Sequence, residues 1–356
     1  MPLKGSILSA AAMVEDPLRS IRNQHVGNFV ALMVSAVAAS VAPLHVFIFV
    51  YAFVGPLHYL TEIAWLKKKE FYFRGGTVSQ QVYVAIAVAL CVVVSVDFYV
   101  HRGLTGYAIG ILMVLSLGAL VKNPLVLMSA LAAGFVARFF VHGLVIFVAA
   151  ILPTIVHVYV FTMLFMVSGL VREKRRAGLP WMLGSTNPLL LLALPVLLLA
   201  ARWSYPAPGS YWVHAEAGFS ALHGYLVRLL GHNLHPDASI LTDPAAAAVL
   251  RFLAFIYSFH YLNWFLKTGL LEWHKVSRRS WVWIAALYGV SVGCYLWNFV
   301  VGFYLVNFLS MLHVFLEFPL NWHTGRFLTD SVARVWSGGL ARKINTDSAH
   351  SGSVKV

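Results

Sequence analysis

The chain has 356 residues, of which 60% are hydrophobic and 11% are charged, whereas about a quarter of the residues in a typical soluble domain are charged. Its apolar runs exceed the roughly 20 residues that span a bilayer, and its mean hydropathy is +0.77, so the composition excludes a water-soluble globular protein. The formal net charge of +13 lies mainly in short loops and tails between the apolar runs, which is typical of membrane topology and argues against nucleic-acid binding.

An all-α polytopic bundle of about ten transmembrane helices is the predicted fold. Backbone groups in lipid need partners within the chain, so only helices or a closed barrel can cross a membrane. The apolar runs are continuous rather than alternating, which favours helices. Pro153 predicts a break in the sixth span. The predicted spans are residues 29–41, 44–66, 82–100, 104–121, 125–141, 144–171, 189–203, 249–271, 281–300 and 301–320.

The chain is predicted to form one membrane-embedded domain over residues 1–324. Residues 325–356 form a polar, basic tail whose end we expect to be disordered. Basic residues follow the second, sixth and eighth spans, as in Lys67–Lys69 and Arg172–Arg176. The positive-inside rule then places both termini in the cytoplasm, and we expect the protein in a bacterial inner membrane.

Residues 204–244 form the longest insert between spans, and this topology puts them on the outer side. The insert contains four histidines, a number that could form a metal cluster. Their spacing fits no strong metal motif, so we interpret them as solvated loop residues. These histidines are His214, His223, His232 and His235.

Histidines also lie inside four of the predicted spans. These are His58, His157, His260 and His313. Each precedes the first basic residues after its span by 9 to 15 residues, so all four occupy a similar depth in the membrane. Two of them are followed four residues later by an acid, Glu62 after His58 and Glu317 after His313. Residues four apart share one face of a helix, and a carboxylate in hydrocarbon is costly unless it is paired.

A single intramembrane histidine commonly hydrogen-bonds a neighbouring helix. Four at one depth, with two carboxylates one turn away, favour a metal site, because neutral imidazole is the commonest protein metal ligand and suits Fe, Zn, Cu and Ni. Glu62 and Glu317 can either bind the ion or accept a proton from the other ring nitrogen of a ligand histidine.

Other residues give weaker signals. His45 is a candidate fifth ligand, although a packed histidine is the favoured interpretation. Asn263 and Asn321 can support the site or simply join helices. Aromatic side chains near the histidines could line an apolar tunnel, among them Tyr59, Phe259, Tyr261, Trp264 and Phe315.

At these residues the chain resembles the Brp/Blh family of bacterial membrane dioxygenases, which cleave β-carotene to retinal. The resemblance lies in short motifs of four spans: VGPLHYLTE with Pro56, His58 and Glu62, TIVHVYVF with His157, FIYSFHYLNWFLKT with His260, and LSMLHVFLEFP with His313 and Glu317. The family acids are aspartates, the family has glycine at Tyr59, and a second histidine is expected at Trp264. The resemblance implies a non-haem iron held by histidines from several helices.

The first hypothesis is therefore a membrane metalloenzyme. It would be a non-haem Fe(II) oxygenase that takes O₂ and a long apolar substrate of carotenoid or isoprenoid type from the lipid. Two alternatives belong to other classes. Paired histidines on facing helices could bind b-type haem for electron transfer, or the polar residues could line a path for protons or metal ions.

Overall fold

The computed structural model describes residues 17–73, 78–100, 102–141, 143–173, 178–206, 209, 215, 217–232, 240–272 and 274–351. Within these residues the regular structure is helical and no β-strand occurs, so the predicted all-α class is confirmed. Eleven helices carry the architecture. They are α1 Pro17–Val41, α2 Pro43–Lys68, α3 Gln80–Val100, α4 Thr105–Ser116, α5 Pro124–Phe140, α6 Leu144–Arg172, α7 Gly178–Ala200, α8 Ser220–Leu229, α9 Pro244–Leu266, α10 Arg278–Trp297 and α11 Phe299–Ser351.

Eight of the described helices are long and apolar enough to cross a membrane, and the protein is an integral membrane protein. The two others that match predicted spans, α4 with its following turn and α5, are shorter than 18 residues. These two are consecutive in the chain. Whether they cross the bilayer as a pair or return within it, the sides of all other segments stay the same.

Helix α9 forms the centre of the bundle. Nearly all of its residues from Ala245 to Trp264 are buried, and it packs against α1, α2 and α7. Its first turns consist of Ala245–Ala248, whose small side chains allow neighbouring helices to approach closely. Because α11 packs on the other side against α2, α3 and α10, the midpoints of α2, α9 and α11 meet inside the protein.

Two of the long helices contain π-helical segments beside a proline. In α2 residues Val50–Val54 are π-helical just before Pro56, and in α6 residues Leu152–Phe161 are π-helical around Pro153. The α-helix is therefore interrupted at Pro153 as predicted, but a local change in hydrogen-bond spacing lets the span continue past the residue that lacks an N–H. Such segments frequently occur at functional sites.

Two other prolines each leave one backbone carbonyl without its usual donor, and a tyrosine hydroxyl from another helix donates to that carbonyl instead. Pro319 in α11 cannot donate to the carbonyl of Phe315, and the Tyr83 hydroxyl donates to that oxygen instead. Pro195 in α7 likewise frees the carbonyl of Leu191, which accepts from the hydroxyl of Tyr159 at 3.0 Å. Backbone groups in hydrocarbon are costly when unpaired, so these tyrosines stabilise the two proline-containing helices.

Arg251 is a fully buried cation inside α9. Its guanidinium donates to the carbonyl oxygens of Leu198, Ala201 and Trp203, at and just beyond the C-terminal end of α7. It also lies 4.5 Å from the centre of the Trp203 ring. The last carbonyls of a helix lack partners and carry partial negative charge, so α7 itself compensates for burial of this arginine.

The insert and the tail differ in part from expectation. His223 is buried rather than solvated, and its Nε2 lies 2.8 Å from the carbonyl oxygen of Ala246. His214 and His235 lie outside the described residues. Helix α11 continues beyond residue 324 to Ser351, while residues 352–356 lie outside the described part. The division into a membrane domain and a tail stays a prediction.

Side-specific labelling checks the predicted topology. In a variant lacking Cys91 and Cys294, a cysteine at exposed Ser204 should react with an impermeant maleimide applied to intact cells, whereas one at exposed Lys67 should react only after lysis. The physical reason is the bias of basic loops towards the cytoplasm. The reverse pattern would invert the topology.

A double-mutant cycle checks the Tyr83 contact. Tyr83→Phe should lower the free energy of unfolding by about 1–3 kcal/mol, because it leaves the buried carbonyl of Phe315 without a donor. The loss should shrink in a Pro319→Ala background, where residue 319 regains its N–H. Thermal unfolding in detergent measures both, with Tyr304→Phe at a partly exposed position as control. Equal losses in both backgrounds would contradict the assignment.

Candidate metal centre

The four intramembrane histidines meet in one buried cluster, which we call the histidine ring. They come from α2, α6, α9 and α11, and each is at most 8% exposed. Each imidazole contacts two others edge-on, in the order His58, His260, His157, His313 and back to His58, with ring centres 4.8, 5.2, 5.0 and 5.3 Å apart. The cluster lies among apolar residues in the interior of the bundle.

The nitrogen positions within the histidine ring match the spacing of ligands on one ion. The Nε2 atoms of His58 and His260 are 3.1 Å apart, as are those of His157 and His313. Metal–imidazole bonds of about 2.1 Å at angles between 90° and 109° place neighbouring nitrogens about 3.0–3.4 Å apart. Ligand nitrogens of His58, His260 and His313 all lie within 4.8 Å of one another. His157 lies outside this set of three but contacts two of its members, His260 and His313.

Two of the histidines have side-chain partners at the nitrogen that faces away from the others. His260 Nδ1 lies 2.7 Å from the Thr162 hydroxyl oxygen, which can accept a hydrogen bond from a protonated Nδ1. His157 Nδ1 lies 2.8 Å from Glu317 Oε2, although the N–H direction does not point at this oxygen, so the contact is electrostatic rather than a well-aligned hydrogen bond. A proton on Nδ1 leaves the Nε2 lone pair free to bind an ion.

The two glutamates occupy different positions. Glu317 contacts His157 on another helix rather than His313 on its own. Glu62 remains with its own helix, and its Oε2 lies 3.2 Å from Nε2 of His58, the nitrogen that also faces His260. Glu62 is therefore placed to bind an ion at the histidine ring directly, whereas Glu317 lies beside the outward nitrogen of His157 and is placed to support the position of that ring.

Aromatic residues from α2 and α9 pack against the histidine ring. The Tyr59 ring stacks on His313 with centres 4.3 Å apart, and its hydroxyl bonds that of Tyr261 at 2.6 Å. A side chain at Gly55 would come within 2.8 Å of the Tyr59 hydroxyl oxygen, so a residue without Cβ is required there. Trp264 lies 5.5 Å from His58 and donates to the Thr61 hydroxyl.

The remaining sequence candidates lie away from the histidine ring or act elsewhere. His45 is exposed, 13 residues before His58 in α2. Asn263 donates to Asn28 and so joins α9 to α1. Of the proposed tunnel residues, Phe259 stacks on Phe255 and Phe315 packs on Phe318, so both contribute to the packed core.

Sequence reasoning missed Thr162 and Arg251. A threonine in an apolar helix carries no signal, since it is equally common as a partner of its own backbone. Arg251 did carry one, because an arginine inside a membrane span needs a specific partner.

No family model, no curated protein and no solved structure matches this chain. The resemblance to the Brp/Blh family therefore stays a prediction.

Replacement of the glutamates checks whether both carboxylates support the metal site. Glu317→Gln and Glu62→Gln keep the shape but remove a charge, and each should lower metal affinity by about 10- to 100-fold, because both contact a histidine of the ring. Competitive chelation of the purified protein measures this affinity. Glu272→Gln, at an exposed carboxylate that pairs with Lys275, is the matched control. Unchanged affinity in both buried variants would reduce the glutamates to helix-joining residues.

Proposed function

We propose that the protein is a membrane metalloenzyme, a non-haem Fe(II) oxygenase that acts on a long apolar substrate of carotenoid or isoprenoid type. The observation that carries the proposal is the histidine ring, with four imidazoles in mutual contact and Nε2 pairs 3.1 Å apart inside a membrane protein. The short motifs shared with the Brp/Blh family support iron as the metal and O₂ as the co-substrate.

The donor set fits a divalent ion. Glu62 and Glu317 are 3% and 4% exposed, and a buried carboxylate is costly unless its charge is compensated. A divalent cation at the histidine ring would offset both charges with four neutral histidines as ligands. When bound, the iron supplies dioxygen chemistry that the side chains lack.

The chain's own residues have four tasks in this function. The Nε2 atoms of His58 and His260 face each other, as do those of His157 and His313. Thr162 and Glu317 lie beside the outward nitrogens of His260 and His157 and support their positions. Glu62 lies beside His58 Nε2, where its carboxylate can bind the ion or hold a proton. Tyr59, Tyr261 and Trp264 cover the cluster and exclude water, which limits side reactions.

The geometry disfavours b-type haem. A haem lies between its two axial histidines, and its macrocycle fills the plane between them. In the histidine ring each imidazole contacts two others, so the two remaining rings occupy that plane. A transport path for protons or ions has no specific observation in its favour.

Location and substrate access follow from the same proposal. In this proposal the protein lies in a bacterial inner membrane with both termini in the cytoplasm. The bias of its basic loops supports that orientation. An apolar substrate would reach the protein through the lipid, and exposed apolar side chains such as Val37, Phe139 and Val290 provide the surface that contacts lipid.

Metal analysis of protein purified in mild detergent tests the proposal. The wild type should carry iron at about one ion per chain, and His58→Ala, His260→Ala and His313→Ala should each lose it, because three ligands of the set cannot be spared. His45→Ala, at an exposed histidine of the same helix as His58, should keep it. Gel filtration and circular dichroism show that the variants fold.

Optical spectroscopy and oxygen uptake complete the test. The iron-loaded protein should show no Soret band and should consume O₂ when a carotenoid is added. A metal-free wild type, or full iron content in all three histidine variants, contradicts the metal site. A Soret band would show that the protein binds haem and would contradict the proposal of a non-haem oxygenase.

A further inference from the structure

A cleft of about 220 Å³ lies at the N-terminal end of α9, beside the connection from α7 to α9. The ends of α7 and α8 and the start of α9 form its walls. Leu199, Val227 and Leu230 make its apolar wall, and Arg202 and His232 are its two basic residues.

The cleft lies at the level of a membrane interface. Arg202 follows the last residue of α7 by two positions, and its neighbour Trp203 is exposed, as expected for the aromatic belt of a membrane protein. Leu229 and Leu230 at the end of α8 are also exposed, as in a helix that lies in the interface with one apolar face in lipid.

The two basic residues are available to a ligand in different ways. Arg202 is exposed and forms no ion pair with any residue that the structure describes. The backbone fixes the position of His232. Its backbone N–H donates to the Val227 carbonyl oxygen at 3.1 Å, and the backbone N–H of Gly231 donates to the Arg228 carbonyl oxygen at 2.9 Å. With Gly231 at φ +79°, these bonds form a Schellman motif. The nearby guanidinium of Arg251 already donates to three backbone carbonyl oxygens at and beyond the end of α7, so it is not the residue that would bind the ligand.

We infer that this cleft binds the phosphate headgroup of an anionic membrane phospholipid. The phosphate would lie against Arg202 and His232, whose positive or donor groups complement its charge. A volume of 220 Å³ is below the roughly 300–1,000 Å³ that encloses a drug-sized ligand, so the cleft is suited to the lipid headgroup and the start of one acyl chain. Beyond the cleft, exposed Val196 and Leu197 of α7 provide an apolar surface for the rest of that acyl chain.

This lipid site is independent of the histidine ring. Ala248, which borders the cleft, precedes His260 by 12 residues of the same helix, or about 18 Å. Lipid binding is therefore expected in metal-free protein as well, and failure of the proposed enzyme function does not affect it.

Native mass spectrometry of the full chain in a neutral detergent tests the inference. Phosphatidylglycerol, phosphatidylcholine and inorganic phosphate are titrated against the wild type, Arg202→Gln and Arg228→Gln. Arg228 is the matched control, since it is an exposed arginine in the last turn of α8 that does not border the cleft. Arg202→Gln should weaken phosphatidylglycerol binding by about fivefold, the effect of one basic residue near an anionic lipid, while Arg228→Gln should leave it unchanged.

Several outcomes would overturn the inference. Equal losses in both arginine variants mean that surface charge alone attracts the lipid. Equal binding of phosphatidylcholine and phosphatidylglycerol means that the cleft recognises chains rather than an anionic head. Displacement of the lipid by millimolar inorganic phosphate makes it a site for small anions. No retained lipid in the wild type removes the site altogether.

Discussion

The cost of polar groups in hydrocarbon determines how the centre of this protein is built. Four imidazoles and two carboxylates are buried where water cannot reach them, and each needs a partner from inside the chain. Among the residues that the structure describes, their side-chain partners include other members of the set and the Thr162 hydroxyl. A small turn of α2, α6, α9 or α11 would separate these contacts, so the relative rotation of the four helices must be held closely.

The same constraint explains the supports away from the histidine ring. Tyrosines occupy the carbonyls freed by Pro195 and Pro319, and α7 compensates for burial of Arg251 with its terminal carbonyls. In water such carbonyls would bond solvent at little cost. In the bilayer each missing bond destabilises the fold, so helix-breaking residues are found together with a donor on a neighbouring helix.

Much of the fold was predictable because hydrophobic length is a direct physical requirement of the bilayer. The eight long helices coincide with predicted spans to within a few residues at most ends, and Pro124 and Leu144 begin helices beside the predicted starts. The meeting of His58, His157, His260 and His313 was predictable as well, since four histidines at one depth have few other uses. Thr162 and Tyr83 were not, because their partners lie far away in the sequence and a hydroxyl in an apolar helix has many possible acceptors.

The directions of the ring members were beyond sequence reasoning for a separate reason. Periodicity arguments assume 3.6 residues per turn, so His58 and Glu62 share a face by assumption. The π-helical segments at Val50–Val54 and Leu152–Phe161 change that spacing just before or around the histidines. Each residue that a π-helical turn adds to an α-helix rotates the side chains after it by about 100° around the helix axis. The rotation of α6 relative to α11 is what brings His157 to Glu317 rather than leaving that carboxylate to His313, and only the three-dimensional arrangement of the helices reveals it.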